Sequence, residues 1–423
     1  MNRRRFVETS GRTVLLALAG GVAMRAPAGA QEPGVSADVQ RRVADTVQAY
    51  DAQGNHRTAT EADTTSARWL VKEARRFGIE ASLEPFAVSR IDLQSCHVDA
   101  GERRIDGVPL FDAGTTGADG VRGGLGPLGS DAEIAVVETQ PSRLTEAGSE
   151  RRRAALAEVR QSRHKAVVLL TGGPRPGLFL LNAPLFSKPV GPPTLQVSST
   201  EREWFATQAA ARAEVTLVAH VTRTPARAFN VTARVAGSQP GLPPLVVSTP
   251  RSGWWQCASE RGGGLACWLE LMRVVAAGKP LRDCLFAAFS GHELGGLGID
   301  AYLANRTDLV KRAHAWIHFG ANIGAPRQPS LIQASEPSLE RWAATAMQRE
   351  GLSVDHTMAP GATPFGEAAR LQRDGGRYVA PVSDTEVFHS VADRWPEAVD
   401  VARLARYARA FANGALELAR QTS

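Results

Sequence analysis

Apolar positions along the chain change their period more than once. Between residues 64 and 77, Ala67, Leu70, Val71, Ala74 and Phe77 recur at intervals of three and four, which predicts one buried helical stripe, and Gly78 supplies its stop. A helix is also expected over 37 to 50, and residues 79 to 86 read as a strand. Between 88 and 225 the texture differs: short apolar runs at 134 to 137, 166 to 170, 194 to 197 and 215 to 221 stand among glycine and proline turns, with one charged helix near 150 to 162. From Phe229 onward, strands (230 to 235, 245 to 248, 284 to 289) alternate with helices (265 to 277, and one beginning at 294 to 304). This order predicts an α/β domain over 37–87 and 226–423, with a mostly parallel central sheet flanked by helices, interrupted by a small β-rich insertion over 88–225. Ligands of such sheets sit beyond the carboxyl ends of the strands, so functional residues are expected just after Ser248 and Phe289.

The first 30 residues carry a different pattern. Arg3, Arg4 and Arg5 precede an almost wholly apolar stretch from 13 to 22 and the small-residue run Ala28, Gly29, Ala30. Charged region, short apolar region and cleavage site together predict a signal peptide, with the arginine run pointing to the twin-arginine route and to a periplasmic or secreted mature protein. The apolar stretch is shorter than the roughly 20 residues a bilayer requires, so no stable membrane anchor is expected after cleavage. Removing residues 1–30 takes away five arginines and one glutamate, and the formal charge falls from +6 to +2. The basic character therefore belongs largely to the leader, and no basic face suited to nucleic acid remains; Arg151, Arg152 and Arg153 read as a solvated helix start. Four cysteines (96, 257, 267, 284) are too few for a disulfide scaffold and lack zinc-finger spacing.

Three polar segments stand out. Residues 249 to 264 (TPRSGWWQCASERGGG) join a strand end to a helix, residues 290 to 298 (SGHELGGLG) do the same, and residues 387 to 396 (VFHSVADRWP) come late in the chain. Glycines 262 to 264 fit neither nucleotide fingerprint and are better explained by close helix packing. Ser252 lacks the elbow expected of a nucleophile. Trp254 and Trp255 read as packing or as a pocket wall, and Arg251 as a capping charge or a clamp for a carboxylate.

The order and spacing of these segments resemble the two-zinc aminopeptidases of the M-twenty-eight peptidase family over roughly residues 229 to 415. The insertion is similar to the protease-associated domain of exported aminopeptidases. Carried over position by position, the resemblance places the family's first histidine at Pro250, its bridging aspartate at Glu260, its general base at His292, its adjacent glutamate ligand at Glu293, a further aspartate ligand near Ala321 and its last histidine at His389, with Asp393 following. Both private ligands of one metal are thus replaced by Pro250 and Ala321. The resemblance implies at most one zinc ion, held by Glu260, Glu293 and His389, with His292 as the base that activates its water and Arg251, Trp254 and Trp255 orienting a peptide or small amide-containing substrate. The opposing reading keeps the fold without the chemistry: a catalytically inactive homologue that binds a peptide or small ligand.

Overall fold

The computed structural model describes residues 36–139, 146–326, 330–359 and 361–422. The leader expected over 1–30 lies outside the described residues. Helix α1 (Ala37–Asp51) begins where the Ser36 hydroxyl accepts from the Val39 N–H, and α2 (Glu61–Arg76) where the Thr60 hydroxyl accepts from the Asp63 N–H. Next come β1 (Ala81–Ala100), β2 (Arg103–Asp106), β3 (Val108–Pro109), β4 (Val121–Pro127), β5 (Ile134–Thr139), α3 (Glu146–Gln161), β6 (Ala166–Thr171), β7 (Thr194–Ser198), α4 (Arg202–Ala210) and β8 (Glu214–Val235). The chain continues through β9 (Leu245–Pro250), α5 (Gly263–Gly278), β10 (Cys284–Phe289), α6 (Leu297–Ala304), α7 (Leu309–Arg312), β11 (Ala315–His318), β12 (Ser330–Ala334), α8 (Pro337–Arg349), β13 (His356–Thr357), α9 (Ala368–Arg373), β14 (Tyr378–Ser383) and α10 (Val401–Ala419).

The centre of the sheet is the parallel set β10, β9, β11 and β14, bordered by antiparallel β8 on one side and antiparallel β12 on the other. Successive side chains of a strand point to opposite faces, and here both faces are covered. Leu245, Val247, Phe286, Ala288, Ala315, Ile317 and Val379 enter the core shared with α1, α2, α5, α8 and α10, whereas Val246, Ala287, Phe289, Trp316, Tyr378 and Ala380 enter the core shared with α6, α7 and α9. Two covered faces explain why these strands read as unbroken apolar runs rather than alternating ones.

Residues 79 to 86 continue well past the expected strand. In place of separate strands at 215 to 221 and 230 to 235 there is a single β8, and β1 pairs with it antiparallel from Ala81↔Ala233 to Asp99↔Thr216, with one register shift between Leu93 and Ser95. This ribbon carries β4 through β7, a set of parallel strands (β4–β5–β6–β7) with cores of its own. All four cysteines are free thiols. No helix among the described residues is long and apolar enough to cross a membrane.

Candidate functional site

Strands β9, β10, β11 and β14 end at Pro250, Phe289, His318 and Ser383, and the loops that follow them converge. Between them lies a cavity of about 530 Å³, bordered by Pro250, Arg261, His292, His318, Glu367 and His389 and closed on one side by Arg152, Arg153 and Leu181 from the β1–β8 segment. That side is fastened by backbone hydrogen bonds: Leu180 N–H donates to His389 O (3.1 Å) and Ala183 N–H to Glu293 O (2.8 Å). Three non-glycine residues around the cavity, Cys257, Asn322 and His389, hold φ near +60°. Each such left-handed residue costs on the order of 1–3 kcal/mol and persists where the surroundings over-determine it.

The loop after β9 enters α5 through one turn of π-helix, Ala258–Gly262. Close packing of this turn needs a missing side chain, since a Cβ on Gly263 would stand 1.9 Å from Ile323 O. Asp393 holds the turn open by accepting from the backbone N–H groups of Ser259 (2.8 Å) and Glu260 (3.0 Å). Glu260 is thereby aimed inward. Its Oε1 lies 2.6 Å from Arg261 Nη2 and 3.3 Å from His389 Nε2, and its Oε2 accepts from Cys257 Sγ at 3.4 Å. Arg261 is fully buried, with Nε donating to Ser252 O at 2.8 Å. Burial pushes the Glu260 carboxyl up, but the charges of Arg261 and then His389 outweigh it and hold the group well below the usual carboxylate range. Burial, followed by the neighbouring Glu260 charge, pushes Asp393 up to about 7.

A second polar group occupies the same cavity. His292 Nδ1 lies 3.2 Å from Glu367 Oε1, and His318 Nε2 lies 3.8 Å from the other Glu367 oxygen while its Nδ1 meets Ser248 Oγ at 2.9 Å. Burial would raise the Glu367 carboxyl, yet its hydrogen bond from His292 and the positive charge of Arg261 bring it down. An ionised Glu367 accepts only, so the His292 ring turns a protonated Nδ1 toward it. Burial lowers His318 to about 4, so this imidazole is neutral near pH 7.

Of the residues singled out from sequence, Glu260, His292 and His389 meet here. The others go elsewhere. Glu293 is fully buried and both its oxygens are taken: Oε1 accepts from Thr58 N–H (2.7 Å) and Thr58 Oγ1 (2.6 Å), and Oε2 from Ser252 Oγ (2.7 Å). It braces the loop after β10, where the Gly291 and His292 N–H groups donate to Ser252 Oγ. Arg251, expected to clamp substrate, is wholly buried and bound to Asp63 Oδ1 (2.9 Å), Asp63 O and Phe229 O. Trp254 and Trp255 border a separate cavity of about 400 Å³ with Phe111 and Arg57; Trp254 donates to Asn182 Oδ1 and Trp255 to His389 O. Arg261 and Glu367 were not legible as site residues, because neither falls on a metal-ligand or base position. His318 had one signal, its place at a strand end.

These side chains, as placed, do not form a zinc-binding set. Glu260 and His389 lie side by side, but Glu293 does not join them; among the described residues the group of metal-capable atoms within 4.8 Å of one another is Cys257, Glu260 and Asp393. Asp393 is already occupied by two N–H donors. The Cys257 thiol is pushed well above its ordinary range by burial and then by Glu260, which opposes the thiolate a metal requires. A divalent ion about 4 Å from the Arg261 charge would meet a repulsion of about 8 kcal/mol at an effective dielectric near 20.

No protein-family model matches the chain, and no curated protein matches it in sequence. Solved structures do. A Peptidase M-twenty-eight precursor from Shewanella amazonensis superposes with a TM-score of 0.71 at 17% identity, covering 91% of this chain and 97% of that one. A zinc aminopeptidase from Bacillus subtilis gives 0.70 at 17%, covering 90% and 95%, and an aminopeptidase from an Aneurinibacillus species gives 0.67 at 15%, covering 91% and 95%. The fold is that of the zinc aminopeptidases.

Proposed function

We propose that this chain uses the aminopeptidase fold without its metal, as a receptor for a peptide or other small amide-containing ligand held in the cavity of Arg261, His292, Glu367 and His389. One observation carries the reading: the Arg261 guanidinium lies 2.6 Å from Glu260, the acid at the position that would bridge two metals, and so supplies the positive charge a metal would have brought. A cavity of about 530 Å³ falls within the usual size of small-ligand sites, and it is lined by a few convergent polar groups among apolar ones. The amino-terminal pattern supports action outside the cytoplasm, and the β1–β8 segment supports a protease-associated-like module that forms one wall of the site.

The test is metal content and ligand-induced stabilisation of the purified full chain. Zinc is expected below stoichiometry, and peptide-induced stabilisation is expected to survive EDTA. One zinc per chain, or stabilisation abolished by EDTA, overturns the proposal.

The His292–Glu367 pair favours a second reading, hydrolysis of an amide bond without a metal. His292 Nε2 would take a proton from water as the water attacks the carbonyl and would return it to the departing amine as the C–N bond breaks. Arg261 would offset negative charge developing nearby, and Glu367 would steady the imidazolium between the two transfers.

A further inference from the structure

The cations around the cavity divide into two kinds. Arg261 is engaged by Glu260, Arg160 by Asp112 at 2.8 Å, and Arg370 by Asp300 at 3.1 Å. Arg152 and Arg153, adjacent on α3, border the same cavity and have no acidic partner among the described residues. Arg152 is half-buried, and the loss of water around it, with the charge of Arg153 beside it, lowers its proton affinity. Among the described residues, this desolvated guanidinium beside another guanidinium has no acidic counterpart. The acids of the lining do not supply one: Glu367 is taken by His292, and Asp384 Oδ1 accepts from the Thr385 N–H.

We infer that Arg152 and Arg153 form the anion-binding wall of the cavity and seat the carboxylate of a short peptide. Arginine's planar fork matches a carboxylate with two parallel hydrogen bonds. The apolar part of the lining, with Leu156, Leu181, Leu185 and Phe388, suits the peptide's side chains. The inference rests on the ligand-binding reading above and adds what the ligand must carry. The carboxylate comes either from the peptide's own C-terminus or from an acidic side chain, and the two sources are separable.

Titration calorimetry on the full chain with three dipeptides decides it: Ala-Phe with a free carboxylate, Ala-Phe amide, and Ala-Glu amide. At least one acid-bearing dipeptide is expected to bind about tenfold or more tighter than Ala-Phe amide, the size of a hydrogen bond to a charged group. The better of the two identifies the source. In Arg152→Gln/Arg153→Gln that advantage disappears, so that the acid-bearing dipeptides bind the variant no more tightly than Ala-Phe amide binds it, and the melting temperature of the variant serves as the check on folding. Equal binding of all three peptides, or an advantage that survives the substitutions, overturns the inference and leaves the ligand-binding reading standing. Failure of all three to bind the wild-type chain overturns both.

Discussion

Arg261 Nη2 and Glu260 Oε1 lie 2.6 Å apart at the base of the cavity, each all but inaccessible to solvent. Two neighbouring residues thus form an internal ion pair where the resemblance to zinc aminopeptidases leads one to expect a metal. Removing one partner strands the other charge. Arg261→Met is therefore expected to destabilise the protein by about 3–5 kcal/mol, and Glu260→Gln/Arg261→Met to recover a large part of that loss. Denaturant unfolding of both variants checks this, and equal losses in the two would contradict it.

Glu293 tests the proposed metal-free site from another side. Glu293→Ala leaves the Thr58 N–H and two hydroxyls without their acceptor, at a cost of about 3 kcal/mol, while zinc content stays as in the wild type. Loss of bound zinc in this variant would restore the ligand role expected from its sequence position.

His318 gives the protein a pH-dependent stability. Its ordinary value of 6.5 falls to about 4 in the folded chain, so the unfolded chain takes up the proton first as pH falls. The contribution is whole above pH 6.5 and is lost as pH falls through that interval, at about 1.4 kcal/mol per pH unit for one proton. His318→Gln is expected to flatten the plot of unfolding free energy against pH by that slope between pH 6.5 and 4. An unchanged slope would mean that His318 is readily protonated in the folded state.

Glu367 separates binding from chemistry. If the cavity hydrolyses an amide, Glu367→Gln lowers kcat by about 10²-fold or more with KM little altered, because it removes the group that orients His292. If the cavity only binds, no turnover exists to lose, and the substitution changes ligand affinity alone. Single-turnover assays on a dipeptide mixture distinguish the two.

Gly263 marks where the π-turn and the loop after β11 touch. Gly263→Ala places a methyl 1.9 Å from Ile323 O, against backbone that cannot rotate away, and is expected to cost about 3 kcal/mol or more. Thermal unfolding within about 1 kcal/mol of the wild type would show that α5 can shift as a unit.

Periodicity made the central strands and the helices α1, α2 and α5 readable, because their burial is set by their own side chains. The middle of β8 was not readable. Thr222, Arg223, Thr224 and Pro225 show no apolar alternation, since this part of the ribbon pairs only with β1 and the face it covers is filled mainly from β1, by Val88 and Ile91, with Val221 and Ala226 only flanking the polar run. At the site, position along the chain located the loops but not the partners of their side chains. Glu293 stands where a ligand is expected, yet its fate is decided by Thr58, which lies 235 residues earlier in the chain. Nothing in the sequence singled out Arg261, and only the tertiary fold shows that it is buried against Glu260 at the border of the cavity.

The β1–β8 ribbon runs as an almost continuous ladder from the edge of the central sheet into the strands that bear the cavity's arginine wall. Opening the cleft by swinging that wall outward would mean bending or breaking a paired strand rather than turning a free linker. Ligand exchange is thus expected through a mouth of fixed calibre, with selection by size and shape at the threshold and little closing motion afterwards.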